Sequence, residues 1–168
     1  MKRQINKNFI KKCKNIKLVI TDVDGVLTDG GMYYSSKGEA LKKFNTRDSM
    51  GMELLRQINI PTILMTRENS IIVKKRALKM KTDLYMNIKN KKKLLPIICK
   101  KYKVEVNNIA YIGDDVNDLE IMKSIGLSVS PADSIEEIKL ISNYICELKG
   151  GEGAFREFAN LIYYSNLK

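Results

Sequence analysis

The stretch VITDVDGVLTDGG, residues 19–31, is the most informative part of the chain. Its apolar start predicts a buried β-strand that ends at two carboxylates one residue apart, Asp22 and Asp24, with Gly25 and then Asp29 following. Aspartate and glycine favour turns, so a simple loop is one interpretation. Two like charges at the tip of a buried strand also indicate a site that holds a cation, which is the second interpretation.

Outward from this stretch, apolar runs rich in β-branched residues alternate with helical patterns. Such alternation predicts an α/β fold: a doubly wound, mainly parallel sheet with helices on both faces. The predicted strands cover 17–21, 61–66, 83–86, 109–113, 127–130 and 144–146. The predicted helices cover 49–58, with Asp48 or Ser49 as its N-cap, then 70–80, 91–102, 116–125, 134–141 and 153–164.

All 168 residues are predicted to form one domain without a separate cap. Residues 1–15 form a basic N-terminal extension, and residues 29–45 a β-hairpin insertion that turns at Ser35–Gly38. Residues 148–168 form a C-terminal tail and helix. Pro96 is expected in the first turns of its helix, where the missing N–H costs nothing.

Composition limits the classes of protein and of partner. The chain has no apolar run long enough for a membrane span and no secretory h-region, so we expect no membrane partner. Its three scattered cysteines form no metal or disulfide pattern and favour a reducing cytoplasm. The net charge of +11 fits an anionic substrate, a nucleic acid or a general lysine bias; without interleaved aromatics, nucleic acid is not expected.

Polar side chains follow three of the predicted strands at their carboxyl ends. Asp22 and Asp24 follow the first strand, Thr66 follows the next, and GDDVND (113–118) follows a third, while Lys91 begins a later helix. The carboxyl ends of parallel strands share one edge of the sheet, where ligands bind in such folds. We therefore expect these side chains to meet.

Four carboxylates would lie close together at that edge, and their repulsion requires a cation: Asp22, Asp24, Asp114 and Asp115. Hard oxygen ligands with room for water and phosphate predict Mg²⁺. The set suits phosphoryl transfer, which depends on positioning and charge neutralisation. Asp22 would attack phosphorus, Asp24 would act as acid and then base, and Lys91 and Thr66 would hold the phosphoryl oxygens with Mg²⁺.

These motifs resemble those of the haloacid dehalogenase superfamily of phosphatases. DVDGVLTDG resembles the first motif, D-x-D-G-x-x-T/S-D, and GDDVND the fourth, G-D-D-x-x-D. Thr66 resembles the second motif and Lys91 the third, in the family's order and over nearly the whole chain. Lys91 lies in a lysine run and is preferred over Lys89, Lys92 and Lys93 because its spacing to Asp114 suits the related enzymes.

The resemblance implies a role for each motif residue. Asp22 is the nucleophile of an aspartyl-phosphate mechanism, and Asp24 is the acid and base. Asp22, the backbone carbonyl of Asp24, and Asp114 hold Mg²⁺, while Asp115 orients the metal shell. The short distance in sequence between Asp24 and Thr66 leaves no room for an ordinary cap domain.

The lack of a cap is similar to a subgroup that dephosphorylates 3-deoxy-2-keto sugar acids. In that subgroup four subunits associate, and hairpins and C-terminal tails of neighbours help to close each site. The hairpin region 30–51 and the tail GGEGAFREF, 150–158, resemble those elements, which implies a homotetramer. A glycine linker before a helix is the alternative interpretation of the tail.

Two substrate branches remain open within this subgroup. One acts on 3-deoxy-D-manno-octulosonate (KDO) 8-phosphate of lipopolysaccharide synthesis and usually has T-G-R after the second strand. The other acts on the 9-phosphates of 2-keto-3-deoxy-nononate (KDN) or N-acetylneuraminate in sialic acid synthesis, and has T-G-E with a lysine one helix later. Thr66, Glu68 and Lys79 favour the nine-carbon branch, although Arg67 replaces the glycine of both and alternatively mimics the eight-carbon arginine.

The resemblance also implies substrate contacts from the loop 45–49 and from helix 70–80. Arg47 and Arg76 can each form bidentate bonds to a sugar carboxylate, although arginines on a surface helix or loop are an equally good explanation. The complete predicted set of substrate-binding residues is Asn45, Thr46, Arg47, Asp48, Ser49, Glu68, Arg76 and Lys79.

Three other classes are alternatives. A receiver domain also combines a parallel sheet with an acidic pair, a hydroxyl residue and a lysine, but its phospho-acceptor follows a later strand and it has no GDDVND. A basic nucleic-acid-binding module would show salt-sensitive binding. A polynucleotide 3′-phosphatase of the same superfamily would have only Tyr33 and Tyr34 for base stacking.

Overall fold

The structure is a computed structural model that describes residues 5–167. Residues 1–4 of the predicted N-terminal extension and Lys168 of the predicted tail lie outside the described residues.

Eight strands form one large parallel sheet and one small hairpin. The large sheet has six strands, and the hairpin pairs two antiparallel ones. The strands are β1 Leu18–Thr21, β2 Tyr33–Ser35, β3 Gly38–Leu41, β4 Thr62–Met65, β5 Asp83–Tyr85, β6 Ile109–Ile112, β7 Leu127–Ser130 and β8 Tyr144–Ile145. The large sheet runs in the order β5-β4-β1-β6-β7-β8, with every neighbouring pair parallel, so the predicted fold class is confirmed.

Seven α-helices within residues 5–167 cover the two faces of this sheet. Short 3₁₀ turns, Lys91–Leu94 and Val116–Asp118, precede the fourth and fifth helices. The helices are α1 Lys7–Lys14, α2 Thr46–Gln57, α3 Ile71–Met80, α4 Leu95–Tyr102, α5 Leu119–Met122, α6 Glu136–Ile141 and α7 Ala154–Asn166.

Alternate residues of the central strands point into two separate hydrophobic layers. Val19 of β1 packs with α1, α2, α3 and α7, whereas its neighbours Leu18 and Ile20 pack with α4, α5 and α6. Successive side chains of a strand point to opposite faces, so a strand that is covered on both sides must be apolar throughout. This explains why β1, β4, β6 and β7 are buried at every position.

The start of the second helix differs from the prediction. Helix α2 begins at Thr46, and its N-cap is Asn45, whose Oδ1 accepts the Arg47 N–H at 2.9 Å. The predicted caps, Asp48 and Ser49, therefore lie inside the first turn. Asn45 precedes them with extended backbone angles and a side-chain acceptor in reach, which is what an N-cap requires.

The predicted N-terminal extension contains helix α1. Phe9 and Cys13 are four residues apart and buried, so one face of this basic helix packs against the core. Pro96 lies in the first turn of α4, as predicted, because the chain reaches that helix through the 3₁₀ turn that begins at Lys91. No helix in residues 5–167 has the length and apolar character needed to span a bilayer.

Candidate active site

The carboxyl ends of β1, β4 and β6 surround a cavity of about 310 Å³. The loops after these three strands supply the side chains at its wall, as the sequence predicted from their position. The lining residues are Asp22, Asp24, Gly25, Gly30, Thr66, Arg67, Glu68, Asp114, Asp115, Val116 and Asn117. A second cavity, of about 370 Å³, lies at the opposite edge of the sheet, where Thr62 and Asp83 begin strands. The two cavities differ in charge rather than in volume, because four aspartates line the first and one, Asp83, lines the second.

Asp22 is held at the end of β1 by two groups. Its Oδ1 accepts the backbone N–H of Val23 at 2.7 Å, and its Oδ2 lies 2.6 Å from Nζ of Lys91. Lys91 is only 2% exposed and also lies 2.6 Å from Oδ1 of Asp118. The 3₁₀ turn after β5 thus delivers Lys91, rather than one of its exposed neighbours, into the site.

Asp118 is the centre of a buried polar network. Its Oδ1 accepts hydrogen bonds from Lys91 and from the hydroxyl of Tyr111, each at 2.6 Å, and its Oδ2 accepts the N–H of Asp114 at 3.1 Å. Every acceptor of this fully buried carboxylate therefore has a donor, as a buried charge requires. Asp118 was not among the predicted site residues. Its position as the last carboxylate of GDDVND is the sequence feature that could have identified it.

Asp114 faces the cavity from the loop after β6, and Gly25 makes room for it. A Cβ at Gly25 would lie 1.9 Å from Oδ2 of Asp114, and Gly25 has φ of +81°, so a side chain is excluded twice over. Oδ1 of Asp114 is buried without a hydrogen-bond partner among the described residues. A buried acceptor of this kind needs a ligand atom, a cation or water.

These groups fit a hard divalent cation. One carboxylate oxygen from each of Asp22, Asp114 and Asp118 lies within 4.8 Å of the others. Lys91 supplies one positive charge against these three carboxylates, which leaves an excess of negative charge beside the unpartnered oxygen of Asp114. Carboxylate oxygens of this number and spacing suit Mg²⁺ and similar ions. Asp22 and Asp114 belong to the predicted metal set, whose third ligand was the carbonyl of Asp24.

Burial and mutual repulsion alter the titration of these carboxyls. Burial, with Asp118 nearby, raises the pKa of Asp22 well above its ordinary value, and the same two causes raise the pKa of Asp114 to about 7. Burial opposes the charge on Lys91, but Asp22 and Asp118 outweigh it and raise the pKa of Lys91. The lysine therefore stays charged, and a divalent cation would favour the deprotonated form of both raised carboxyls.

Asp24 is held from a different direction. Its Oδ1 lies 2.5 Å from Nζ of Lys42, which follows β3, and its Oδ2 accepts a long hydrogen bond of 3.4 Å from the Thr66 hydroxyl. Lys42 also lies 2.8 Å from Oε1 of Glu39, and Ser70 donates a hydrogen bond to the other oxygen of Glu39. None of Lys42, Glu39 and Ser70 was a predicted site residue, because no local pattern relates them to Asp24.

Thr66 and Thr28 shape the loops around the cavity. The Thr66 hydroxyl accepts the N–H of Glu68 at 3.0 Å, which turns the chain after β4. The Thr28 hydroxyl accepts the N–H groups of Gly25 and Gly30, at 3.3 and 3.2 Å, and so closes the loop after β1. The threonine of the first motif is therefore explained by backbone geometry.

Asp115 also lines the cavity but caps the following turn. Its Oδ1 accepts the N–H of Val116 at 2.7 Å, and its side chain is exposed. It is not one of the three described carboxylates that approach one another most closely. Its predicted role in orienting the metal shell stays a prediction.

The predicted substrate-binding residues fall into two groups, those that line the cavity and those that do not. Glu68 lines the cavity, whereas Lys79 is exposed on α3 and does not line it. Arg76 donates hydrogen bonds to the backbone carbonyl of Asn45 at 3.1 Å and to the hydroxyl of Ser49 at 2.6 Å. Its guanidinium also lies over the ring of Phe44. The residues that hold the start of α2 in place are thus Asn45, Ser49 and Arg76.

Three others of that set, Thr46, Arg47 and Asp48, also lie apart from the cavity. Asp48 is 1% exposed, and its Oδ1 accepts the N–H of Arg156 at 2.9 Å, so it joins α2 to α7 and is not available to a substrate within this chain. Arg47 lines a separate cavity with Arg156, Glu157 and Asn160. Thr46 is exposed at the first position of α2.

The chain is similar to known proteins over most of its length. Residues 62–156 match the family described as haloacid dehalogenase-like hydrolase. The 3-deoxy-D-manno-octulosonate 8-phosphate phosphatase of Escherichia coli K12 is 35% identical over 159 residues, which cover 94% of this chain and 85% of that protein. The protein of the same name from Haemophilus influenzae is 37% identical over 153 residues, or 90% of this chain and 85% of that one.

A solved structure agrees with these sequence comparisons. The 3-deoxy-D-manno-octulosonate 8-phosphate phosphatase of Moraxella catarrhalis, in complex with a magnesium ion, a phosphate ion and KDO, superposes with a TM-score of 0.91. It is 34% identical, and the match covers 96% of this chain and 94% of that one. The fold of this chain therefore has a counterpart in a solved structure that contains a magnesium ion, a phosphate ion and KDO.

Proposed function

This chain belongs to the haloacid dehalogenase-like hydrolases and is a phosphomonoester hydrolase, and we propose that its substrate is KDO 8-phosphate and its metal Mg²⁺. The observation that carries this proposal is the similarity, at 35% identity and over 94% of the chain, to an enzyme of that name. The site is consistent with it, because the proposed nucleophile and the proposed acid line one cavity and Lys91 lies 2.6 Å from the nucleophile.

Asp22 is the proposed nucleophile. One of its oxygens attacks phosphorus, the bond from phosphorus to the sugar oxygen breaks, and an aspartyl-phosphate forms on Asp22. The Val23 N–H and Lys91 fix the direction of the carboxylate before the attack. Mg²⁺ held by Asp22, Asp114 and the Asp24 carbonyl would neutralise charge on the transferred phosphoryl group.

Asp24 is the proposed acid and base. It protonates the sugar oxygen as that oxygen leaves, then accepts a proton from the water that attacks the aspartyl-phosphate, which releases phosphate and restores Asp22. Its side chain lines the cavity and is 28% exposed, so substrate and water can reach it. Thr66 lines the cavity beside Asp24, and Lys91 contacts Asp22, so we assign each of them to bind a phosphoryl oxygen.

The eight-carbon substrate replaces the nine-carbon one that the sequence favoured. That preference depended on Glu68 together with Lys79, but the curated relatives carry the name of the eight-carbon enzyme. Lys79, moreover, does not line the cavity. Arg67 does line it, which is consistent with an arginine of the eight-carbon type at this loop.

We also propose that the hairpin mediates association into the homotetramer implied by the sequence. Tyr33, Tyr34 and Leu41 are 51%, 67% and 65% exposed on it, which is unusual for large apolar side chains that lie so close together. Sedimentation analysis of the wild type and of Tyr34→Ser tests this, and a monomeric wild type would contradict it.

The substrate is tested by phosphate release with Mg²⁺ from KDO 8-phosphate, KDN 9-phosphate and N-acetylneuraminate 9-phosphate at equal concentration. We expect the highest kcat/KM for KDO 8-phosphate, and a loss of at least about 10³-fold in Asp22→Asn. A clear preference for either nine-carbon ester would keep the mechanism but reject the substrate. No release from any of the three would reject the proposed function.

A further inference from the structure

Lys42 is a buried cation that no motif of the chain includes. Its side chain is fully buried, and its Nζ lies 2.5 Å from Asp24 and 2.8 Å from Glu39. Burying a charged side chain is costly unless it is well paired, and such pairs contribute little net stability compared with apolar residues. An arrangement of this kind beside the proposed acid and base therefore suggests a role in the reaction.

The two oxygens of Asp24 have different surroundings. Oδ1 contacts Lys42 at 2.5 Å, whereas the nearest donor to Oδ2 is the Thr66 hydroxyl at 3.4 Å. The first contact is short and charge-assisted, and the second is at the limit of a hydrogen bond. Oδ1 is thus held in place, and Oδ2 remains for proton transfer.

Lys42 is itself held by the rest of the fold. Glu39 on β3 binds it, Ser70 at the start of α3 donates a hydrogen bond to Glu39, and Lys42 follows β3 directly. Nζ of Lys42 thus lies between the carboxylates of Asp24 and Glu39, at 2.5 and 2.8 Å, and this pairing favours its charged form. The hairpin is therefore tied to Asp24 by a lysine that cannot turn freely.

We propose that Lys42 is a positioning residue that holds Oδ1 of Asp24 and thereby directs Oδ2 toward the leaving oxygen of the substrate. This inference rests on the proposed function, because it assigns the acid role to Asp24. In the first half-reaction the proton moves from Oδ2 of Asp24 to the sugar oxygen as its bond to phosphorus breaks and Asp22 becomes phosphorylated. Lys42 donates no proton and contacts no substrate.

The role of Lys42 is tested by comparing two esters with different leaving groups. A sugar alkoxide is a poor leaving group and needs the acid, whereas 4-nitrophenolate leaves without one. The first turnover of KDO 8-phosphate and of 4-nitrophenyl phosphate is measured by rapid quench, because it reports formation of the phosphoenzyme alone. The variants are Lys42→Met, which removes the donor, and Lys42→Gln, which keeps a neutral one.

We expect Lys42→Met to slow the first turnover of KDO 8-phosphate by about 10- to 100-fold, and that of 4-nitrophenyl phosphate by less than about threefold. Lys42→Gln should show the same selectivity with a smaller loss, about 3- to 10-fold for the sugar ester. If Lys42→Met does not fold, as judged by circular dichroism, the ratio of the two esters in Lys42→Gln decides the question.

Lys43→Met and Lys43→Gln are the matched controls. Lys43 is the next residue, its side chain is 58% exposed, and its nearest carboxylate is Asp29 at 3.4 Å. Both controls should keep the wild-type ratio of the two esters.

Equal slowing of the two esters in the Lys42 variants, or no slowing, would overturn the positioning role. A wild type that hydrolyses neither ester would instead reject the proposed function, and the inference with it. If only the eight-carbon substrate is wrong, KDN 9-phosphate replaces KDO 8-phosphate as the ester with a poor leaving group, and the same ratio decides.

Discussion

Two lysines of this protein are each buried between a pair of carboxylates, but they lie in different parts of the fold. Lys91 lies between Asp22 and Asp118 at the carboxyl ends of the central strands. Lys42 directly follows hairpin strand β3 and lies between Asp24 and Glu39. In each network a hydroxyl donates a hydrogen bond to the carboxylate that has no proposed catalytic role: Tyr111 donates to Asp118, and Ser70 donates to Glu39. The two networks thus have the same chemical composition.

They differ in how far water reaches them. The carboxylates around Lys91 are 6% and 0% exposed, and those around Lys42 are 28% and 18% exposed. Charges in contact with water are partly solvated and interact less strongly. The central network should therefore be essential for both stability and activity, whereas the hairpin network should mainly direct Asp24.

The largest effect is expected for Lys91→Met. Its loss would leave two buried carboxylates without a cation, which should lower the free energy of unfolding by about 3–5 kcal/mol, against about 1–3 kcal/mol for Lys42→Met. Urea denaturation of the variants measures both values. Lys92→Met is the control, because Lys92 is exposed and its ion pair with the exposed Glu120 is long, at 3.6 Å. Its effect on the free energy of unfolding should therefore stay below about 0.5 kcal/mol. A larger loss in Lys42→Met than in Lys91→Met would break the comparison.

The next largest effect on stability is expected at Asp48, because this buried carboxylate has no lysine beside it. Burial raises its pKa to about 6, and its Oδ2 has no partner among the described residues. The folded state then binds a proton more tightly than the unfolded state. The free energy of unfolding should therefore fall as the pH rises from about 4 to about 6, by up to about 3 kcal/mol for this group.

Asp48→Asn removes that titration. The stability of the variant relative to the wild type should increase between pH 4 and pH 7, as measured by urea unfolding at both values. A difference between variant and wild type that is the same at both pH values would show that Asp48 does not titrate in this range.

A smaller effect is expected for Tyr111→Phe. The change removes a donor from Asp118 and leaves a fully buried oxygen with one partner fewer, which should cost about 1–3 kcal/mol of unfolding free energy. Phosphate release should fall only moderately, because Lys91 still joins Asp118 to Asp22. Thermal unfolding measures the first quantity, and an unchanged melting temperature would contradict the buried network.

The smallest effect is expected for Ser70→Ala, the counterpart of Tyr111→Phe in the hairpin network. Glu39 keeps Lys42 as a partner and is partly exposed, so water can replace the lost hydroxyl, and the cost should be about 0.5–1 kcal/mol. The same thermal unfolding experiment compares the two variants. If Ser70→Ala proves as destabilising as Tyr111→Phe, exposure does not account for the difference between the networks.

The central site could be predicted from the sequence because each of its strands ends in a motif. Asp22 and Thr66 directly follow buried strands, and Asp114 follows one after Gly113. The rule that parallel strands share a carboxyl edge places them together. Lys91 needed the family resemblance, since three neighbouring lysines have the same local pattern. Asp118 and its partner Asp114 stood in one recognised motif, but its partner Tyr111 stood in none.

The hairpin network and the start of α2 could not be predicted in this way. The ion pair between Lys42 and Asp24 joins residues 18 positions apart, and the bond from Asp48 to Arg156 joins residues 108 positions apart. No periodicity relates residues at such distances. The predicted preference for a nine-carbon substrate is not supported by the names of the relatives, and of the two residues on which it depended only Glu68 lines the cavity.

The local pattern of residues thus predicted the parallel sheet, the carboxylates of the candidate site and the need for a cation, because strands, helices and turns depend on neighbouring residues. Which lysine enters the site, which carboxylates it meets and which oxygen of Asp24 stays free were fixed only by tertiary packing. Packing brings together segments that are distant along the chain, and burial then requires every charge among them to find a partner.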